Sequence, residues 1–245
     1  VAEVLNRAPP VPVEFLTYDV MSGSERTRNA VAAFFSRLIT KTPVKATDLA
    51  LTAGAGSTID LLTTVLCDPG DKVLITAPAY RSFQQDVGMR ARAICVAAPL
   101  DKESEFQISV EVLEGAWAAN GGDQSGIRVV LLSSPNNPTG EVLRRSTICD
   151  IVRWTRRHEM HLVMDEVYAL SVFSSDAEFV SVANVLEGEL GDHVHIVWSF
   201  SKDFCLSGCR IGLLYTQNKA VLAAVDALSY FASTSRHTQW ALIHM

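Results

Sequence analysis

No apolar run in this chain reaches the ~18 residues that a membrane-spanning helix needs, although hydrophobic residues make up 48% of it. The opening stretch, Val1 to Pro12, has neither the basic patch nor the apolar centre of a secretory leader, so a cytoplasmic location is the expectation. The five cysteines are odd in number and scattered, without a Cys-x-x-Cys pair or a histidine at zinc spacing. That pattern speaks against a disulfide framework and against a metal site; reduced thiols and no bound metal are expected. No cluster of Lys and Arg offsets the net charge of -6, which excludes the usual electrostatic footprint of a nucleic-acid binder. The densest basic spot, Arg153, Arg156 and Arg157, reads as the solvated face of a helix. Neither Gly-x-Gly-x-x-Gly nor a Walker loop is present, which lowers NAD and ATP readings.

What is there, over 245 residues, is an alternation of short apolar runs and amphipathic stretches. Ala30, Val31, Phe34, Phe35 and Leu38 recur at helical spacing and predict a helix over 25–39 with Ser24 as N-cap. Strands are predicted at 49–51, 72–76, 93–97, 126–132, 161–164, 194–198 and 211–215. Helices are predicted at 59–66, 80–87, 110–119, 146–158 and 220–231. Val1 to Tyr18 is Pro-rich and aperiodic, an arm without a core of its own. The fold class is α/β, doubly wound, with a mostly parallel sheet. Such sheets bind ligands at the carboxyl ends of their strands, so the residues just after each strand carry the functional information.

Those strand ends deliver a consistent set. Ser199 and Lys202 follow one strand, with Arg210 eight residues after the lysine. A lysine that forms an imine with an aldehyde cofactor needs a partly dry, electropositive pocket, and this loop offers hydroxyls and a guanidinium around it. Asp165 ends another strand, where a carboxylate can hold a pyridine nitrogen protonated. Asn137 and Tyr168 are available to a phenolic ring oxygen, and Tyr80 can stack on the ring. The strand–turn–helix at Ala55-Gly56-Ser57 points backbone N–H groups at a phosphate, joined by Ser199 and Arg210. Singly, each has a plain structural reading: Asn137 a turn former, Tyr168 a half-buried aromatic, Asp165 a helix cap. Their occurrence in order at successive strand ends favours the pyridine-aldehyde reading.

Three motifs, Asn137-Pro138-Thr139-Gly140, Asp165-Glu166-Val167-Tyr168 and Ser199-Phe200-Ser201-Lys202-Asp203 with Arg210-Ile211-Gly212, resemble those of the class I/II pyridoxal-phosphate enzymes of the aspartate aminotransferase fold. Within that group the chain is most similar to the 1-aminocyclopropane-1-carboxylate synthase-like branch, through Leu51-Thr52-Ala53-Gly54-Ala55, Asp68-Pro69-Gly70-Asp71 and the run from Asp165 to Phe173. The resemblance implies pyridoxal 5'-phosphate as cofactor and Lys202 as the imine-forming lysine that also moves the α-proton. It implies Asp165 against the pyridinium nitrogen, and Asn137 and Tyr168 at the ring oxygen. Transamination and elimination, including C–S lyase chemistry, are both open for an amino-acid substrate. It also implies a homodimer, with Tyr18 as a candidate for reaching the neighbouring subunit's phosphate. Residues 1–45 would be an arm and helix of the small-domain or linker region, and 46–245 the cofactor-binding large domain. The small domain with its α-carboxylate-binding arginine would be missing, which keeps open an alternative: a truncated, non-catalytic paralogue that retains the pocket. Two departures from the family pattern stand out. Cys205 occupies a position usually glycine, at a cost of ~1 kcal/mol if its backbone is left-handed. Gly56 replaces a residue that often carries a hydroxyl.

Overall fold

A computed structural model describes residues 9–244 together with residues 3 and 6. The remaining part of the expected N-terminal arm, and Met245, lie outside the described residues. Seven strands form one sheet in the order β1-β7-β6-β5-β4-β2-β3. They are β1 (Leu49–Thr52), β2 (Lys72–Ala77), β3 (Ile94–Pro99), β4 (Ile127–Ser133), β5 (His161–Asp165), β6 (Val194–Ser199) and β7 (Gly212–Thr216). β7 alone runs antiparallel, to both β6 and β1. It returns directly from β6 through a short connection, whereas each parallel neighbour needs a crossover long enough to carry a helix.

α1 (Glu25–Leu38) precedes β1; the crossovers supply α2 (Ala55–Leu66), α3 (Phe83–Gly88), α4 (Val110–Ala119), α5 (Arg145–Arg157) and α6 (Val182–Val185). α7 (Phe200–Asp203) lies in the β6–β7 connection, and α8 (Lys219–Leu228) and α9 (Arg236–Leu242) follow β7. Every residue of β1, β6 and β7 is buried, as expected for strands covered on both faces. One apolar cluster centres on Phe35, Trp154, Trp198 and Tyr215. The other, on the opposite face, includes Ile59, Leu61, Phe83, Val87 and Val225. β1 and β3 are the edge strands, and Ile94 is exposed on β3.

α1 shows how local chemistry sets an element. Ser24 accepts from the Thr27 backbone N–H at 3.3 Å, which closes the first turn. Val31, Ala32 and Phe35 are buried on one face. Phe35 lies edge-on to Trp198 at 5.7 Å and to Tyr215 at 6.3 Å, an arrangement the ring quadrupoles favour.

Several elements depart from the sequence expectation, among them the short helices α6 and α7, which the apolar spacing did not predict. α3 starts at Phe83 rather than Tyr80, because residues 80–83 form a turn closed by Phe83 N–H on the Tyr80 carbonyl at 3.1 Å. α8 ends at Leu228, and a single 3-10 turn over Ser229–Phe231 follows, leaving Phe231 89% exposed. α9 was not foreseen in the sequence, yet its N-cap is ordinary: Ser235 accepts from Thr238 N–H at 3.0 Å.

Candidate active site

The carboxyl ends of β4, β5 and β6 and the β1–α2 turn converge on a cavity of about 290 Å³. Ser133 and Asp165 are register partners at the ends of β4 and β5, so their side chains rise on the same face. Both line the cavity, as do Ser199 and, beyond the end of β6, Lys202. From the sequence-predicted set, Ala55, Gly56, Tyr80, Asn137, Asp165, Tyr168, Ser199, Lys202 and Arg210 all line it. Ser57 does not. Its hydroxyl turns back to the Ala53 carbonyl at 3.3 Å, the i−4 bond that a helical serine makes when its side chain lies along the helix. Tyr18 does not line it either, and stands 92% exposed.

Asp165 is buried and accepts from the Val167 backbone N–H at 3.3 Å. Burial pushes its carboxyl up to about 7, against the lowering effect of that hydrogen bond. A protonated ring nitrogen opposite that carboxyl would return it to the ionised form. Asn137 Nδ2 donates to the Tyr168 hydroxyl at 3.4 Å, and Lys202 Nζ lies 5.8 Å from the centre of the Tyr168 ring. Tyr80 meets Phe83 edge-to-face at 5.5 Å and so presents an aromatic wall to the cavity.

The other end is built for an anion. α2 has Gly54 as its N-cap, with no capping side chain and no acidic residue in its first turn, so its N-terminal dipole is unopposed by any side chain of its own first turn. Arg210 donates from Nη2 to the Ala53 carbonyl at 3.1 Å and from Nη1 to the Ser207 carbonyl at 3.0 Å. These bonds hold its guanidinium over the turn. Gly54 has φ +105°, and a Cβ there would overlap Arg210 Nη2; only glycine lets the backbone pass beneath the arginine. Gly212 serves the same approach from the strand side, since a Cβ on it would lie 2.6 Å from the Gly54 carbonyl oxygen. The donor set therefore fits a phosphorylated pyridine aldehyde: anion cradle, aromatic wall, amide–phenol pair, lysine and buried carboxyl.

Sequence reasoning missed Asp86, Ser133, Ser201 and Ser207 in the lining. Asp86 lies one turn after Phe83 in α3 and lines the cavity with it. Burial, with Asp60 adding to it, pushes the Asp86 carboxyl up to about 6. The left-handed backbone anticipated at Cys205 is present, with φ 56°.

The family model for aminotransferase class I and II matches residues 13–245. The chain is 36% identical over 228 residues to 1-aminocyclopropane-1-carboxylate synthase 5 of Oryza sativa subsp. japonica, across 91% of this chain and 43% of that protein. It is 30% identical over 237 residues to the probable inactive 1-aminocyclopropane-1-carboxylate synthase-like protein 2 of Mus musculus, across 94% of this chain and 41% of that protein. Among solved structures, a double mutant of Thermus thermophilus aspartate aminotransferase superposes with a TM-score of 0.85 at 24% identity, over 99% of this chain and 60% of that one. The chain thus spans less than half the length of these two curated relatives. With the family model covering nearly the whole sequence, the seven-stranded sheet and the strand-end lysine in agreement, the chain belongs to the aminotransferase class I and II family.

Proposed function

We propose that this chain carries the cofactor-binding part of a pyridoxal-phosphate enzyme acting on an amino acid, by transamination or by an elimination of the 1-aminocyclopropane-1-carboxylate synthase or C–S lyase type. Members of this family use pyridoxal phosphate. The observation that carries the reading is the convergence of Lys202, buried Asp165 and the Asn137–Tyr168 pair on one cavity. When bound, the cofactor supplies an electron sink for the carbanion formed at the substrate α-carbon.

The chain's own residues have these parts. Arg210, the first turn of α2 and Ser199 would hold the phosphate, the guanidinium through charge-assisted hydrogen bonds. Tyr80 packs against one ring face and keeps water from it. Asp165 holds the ring nitrogen's proton. The Asn137 amide and the Tyr168 hydroxyl orient the ring through its phenolic oxygen. Lys202 Nζ would hold the cofactor's aldehyde carbon and, as general base, would move the α-proton. Transamination and elimination share that proton removal, so the reaction type is decided by residues around the substrate side chain.

The domain division at residue 45/46, a homodimeric assembly with Tyr18 serving the partner's site, and a cytoplasmic location belong to the same reading. Light scattering tests the dimer, and a pure monomer with full cofactor occupancy contradicts it; imaging of the tagged protein in cells tests the location. A second reading, a non-catalytic protein that retains the pocket, is favoured by the similarity to the mouse protein named as probable inactive. Absorbance after incubation with pyridoxal phosphate and desalting tests the main reading: a retained visible band that changes on adding an amino acid supports it. A retained band that no amino acid alters supports the second, and no retained band contradicts both.

A further inference from the structure

We infer that Asp203 is a positioning residue that sets the placement of Lys202 relative to Tyr168; the inference rests on the cofactor reading above. Lys202 sits in α7, which is only four residues long. A single helical turn has too few internal bonds to orient a side chain by itself. Its other backbone ties, Phe200 N–H to the Ile211 carbonyl at 3.2 Å and Leu206 N–H to the Phe200 carbonyl at 3.1 Å, do not reach the turn that carries Tyr168.

The Asp203 side chain does. Its Oδ2 accepts from the Leu170 backbone N–H at 3.1 Å and from Trp198 Nε1 at 3.0 Å, while Oδ1 accepts from the Ser171 hydroxyl at 2.7 Å. Among the described residues the bonds to Leu170 and Ser171 are the side-chain hydrogen bonds that join α7 to residues 168–171. Trp198 is fully buried and packs against Phe34, Phe35 and Phe200 with ring centres 5.5, 5.7 and 4.6 Å away, so one anchor of the clamp is rigid core. The other anchor follows Tyr168 closely: Ser171 N–H closes the turn on the Tyr168 carbonyl at 2.9 Å. One carboxylate therefore connects a residue next to Lys202 with a turn that begins at Tyr168.

Two mechanisms are open to such a carboxylate, and they predict opposite signs. As a clamp, Asp203 keeps the Tyr168 hydroxyl on the cofactor's phenolic oxygen, which favours the ionised form of that oxygen. Loosening the clamp then raises the pH midpoint of the bound cofactor's visible absorbance. As a charge near Lys202, Asp203 would favour the protonated form, and its removal would lower the midpoint. Asparagine separates the two. Its amide oxygen in the Oδ2 position keeps both N–H donors, and its amide nitrogen can donate to the Ser171 hydroxyl, which accepts as readily as it donates.

The experiment is a pH titration of the visible absorbance of the chain loaded with pyridoxal phosphate, for wild type, Tyr168→Phe, Asp203→Ala, Asp203→Asn, Ser171→Ala and the Asp203→Ala/Tyr168→Phe double variant. The clamp predicts an upward shift in Asp203→Ala of about one pH unit, tenfold in proton affinity, a smaller upward shift in Ser171→Ala, and a wild-type midpoint in Asp203→Asn. It also predicts that the double variant matches Tyr168→Phe, because the clamp acts through that hydroxyl. Downward shifts in both Asp203 variants, or an unchanged midpoint in Asp203→Ala, overturn it. Should Asp203→Ala fail to fold, an unchanged Ser171→Ala midpoint overturns it instead. An unshifted midpoint in Tyr168→Phe sinks the cofactor reading and the clamp together, whereas a shift there without one in Asp203→Ala sinks the clamp alone.

Discussion

Gly212→Ala should damage the fold and the site together, because this glycine is where a strand and the anion cradle touch. Its Cβ would lie 2.6 Å from both the Gly54 carbonyl oxygen and Thr52 Oγ1. Close contact at a real Cβ rarely falls below 3.4 Å, and the Gly54 carbonyl carbon would overlap it more closely still, so the neighbours must retreat by about 1 Å. The atoms that must move are backbone and a buried threonine, and Thr52 is the register partner of Gly212 across β1 and β7. Thr52 Oγ1 is also 2.6 Å from Thr58 Oγ1, a hydrogen bond that anchors α2. Overpacking of this kind costs ~1–3 kcal/mol, and the loss of a buried hydrogen bond puts the substitution near the upper end. Displacing Gly54 displaces the carbonyl-anchored Arg210 above it, so affinity for pyridoxal phosphate should fall by about tenfold or more, equivalent to ~1.4 kcal/mol. Urea denaturation with and without cofactor measures both effects. Gly115→Ala is the control: it lies within α4 with nothing within 4 Å of an added Cβ, and helix propensity predicts a gain of ~0.5–1 kcal/mol. A Gly212→Ala protein within ~0.5 kcal/mol of wild type and with unchanged cofactor affinity would refute the steric argument.

Cys205→Gly should stabilise the chain by ~0.5–1 kcal/mol, read as a higher urea midpoint, because Cys205 is exposed and held at φ 56° where a side chain is strained; a loss of stability contradicts the strain. Burial, with neighbouring imidazoles adding to it, pushes His161 down to about 4 and His195 down to about 3 from an ordinary 6.5. Both are neutral in the folded state, so their contribution is complete above pH 6.5 and is lost as pH falls through the window down to those values. The urea midpoint should therefore drop between pH 7 and pH 5, less steeply in His161→Gln, and an identical slope in the variant counts against this. Glu166 has the opposite sign: burial pushes it up to about 8 from 4.5, so the folded state loses stability as pH rises across that window. The stability of Glu166→Gln relative to wild type should improve from pH 5 to pH 8.5, and a difference independent of pH would contradict the assignment.

Why much of this was legible lies in period and position. Strands buried on both faces read as continuous apolar runs, and β4, β5 and β6 were placed to within a residue or two at each end. Site residues at strand ends follow from that placement, which is why Asp165, Ser199 and Lys202 could be named before any coordinates. What stayed hidden depends on short-range geometry that apolar spacing does not encode. The start of α3 was set by a turn at residues 80–83. Ser57 was chosen because it is a hydroxyl at a helix start, but its own i−4 carbonyl captured it. Asp203 had no signal of its own, since its partners at Leu170 and Ser171 lie more than thirty residues earlier in the chain.

The most direct test of the central claim is borohydride reduction of the chain incubated with pyridoxal phosphate, followed by peptide mapping. The account predicts one dominant modified site, Lys202, at one cofactor per chain, abolished in Lys202→Ala and weakened in Asp165→Asn. Label spread over exposed lysines such as Lys41 and Lys219, unchanged in Lys202→Ala, would contradict it.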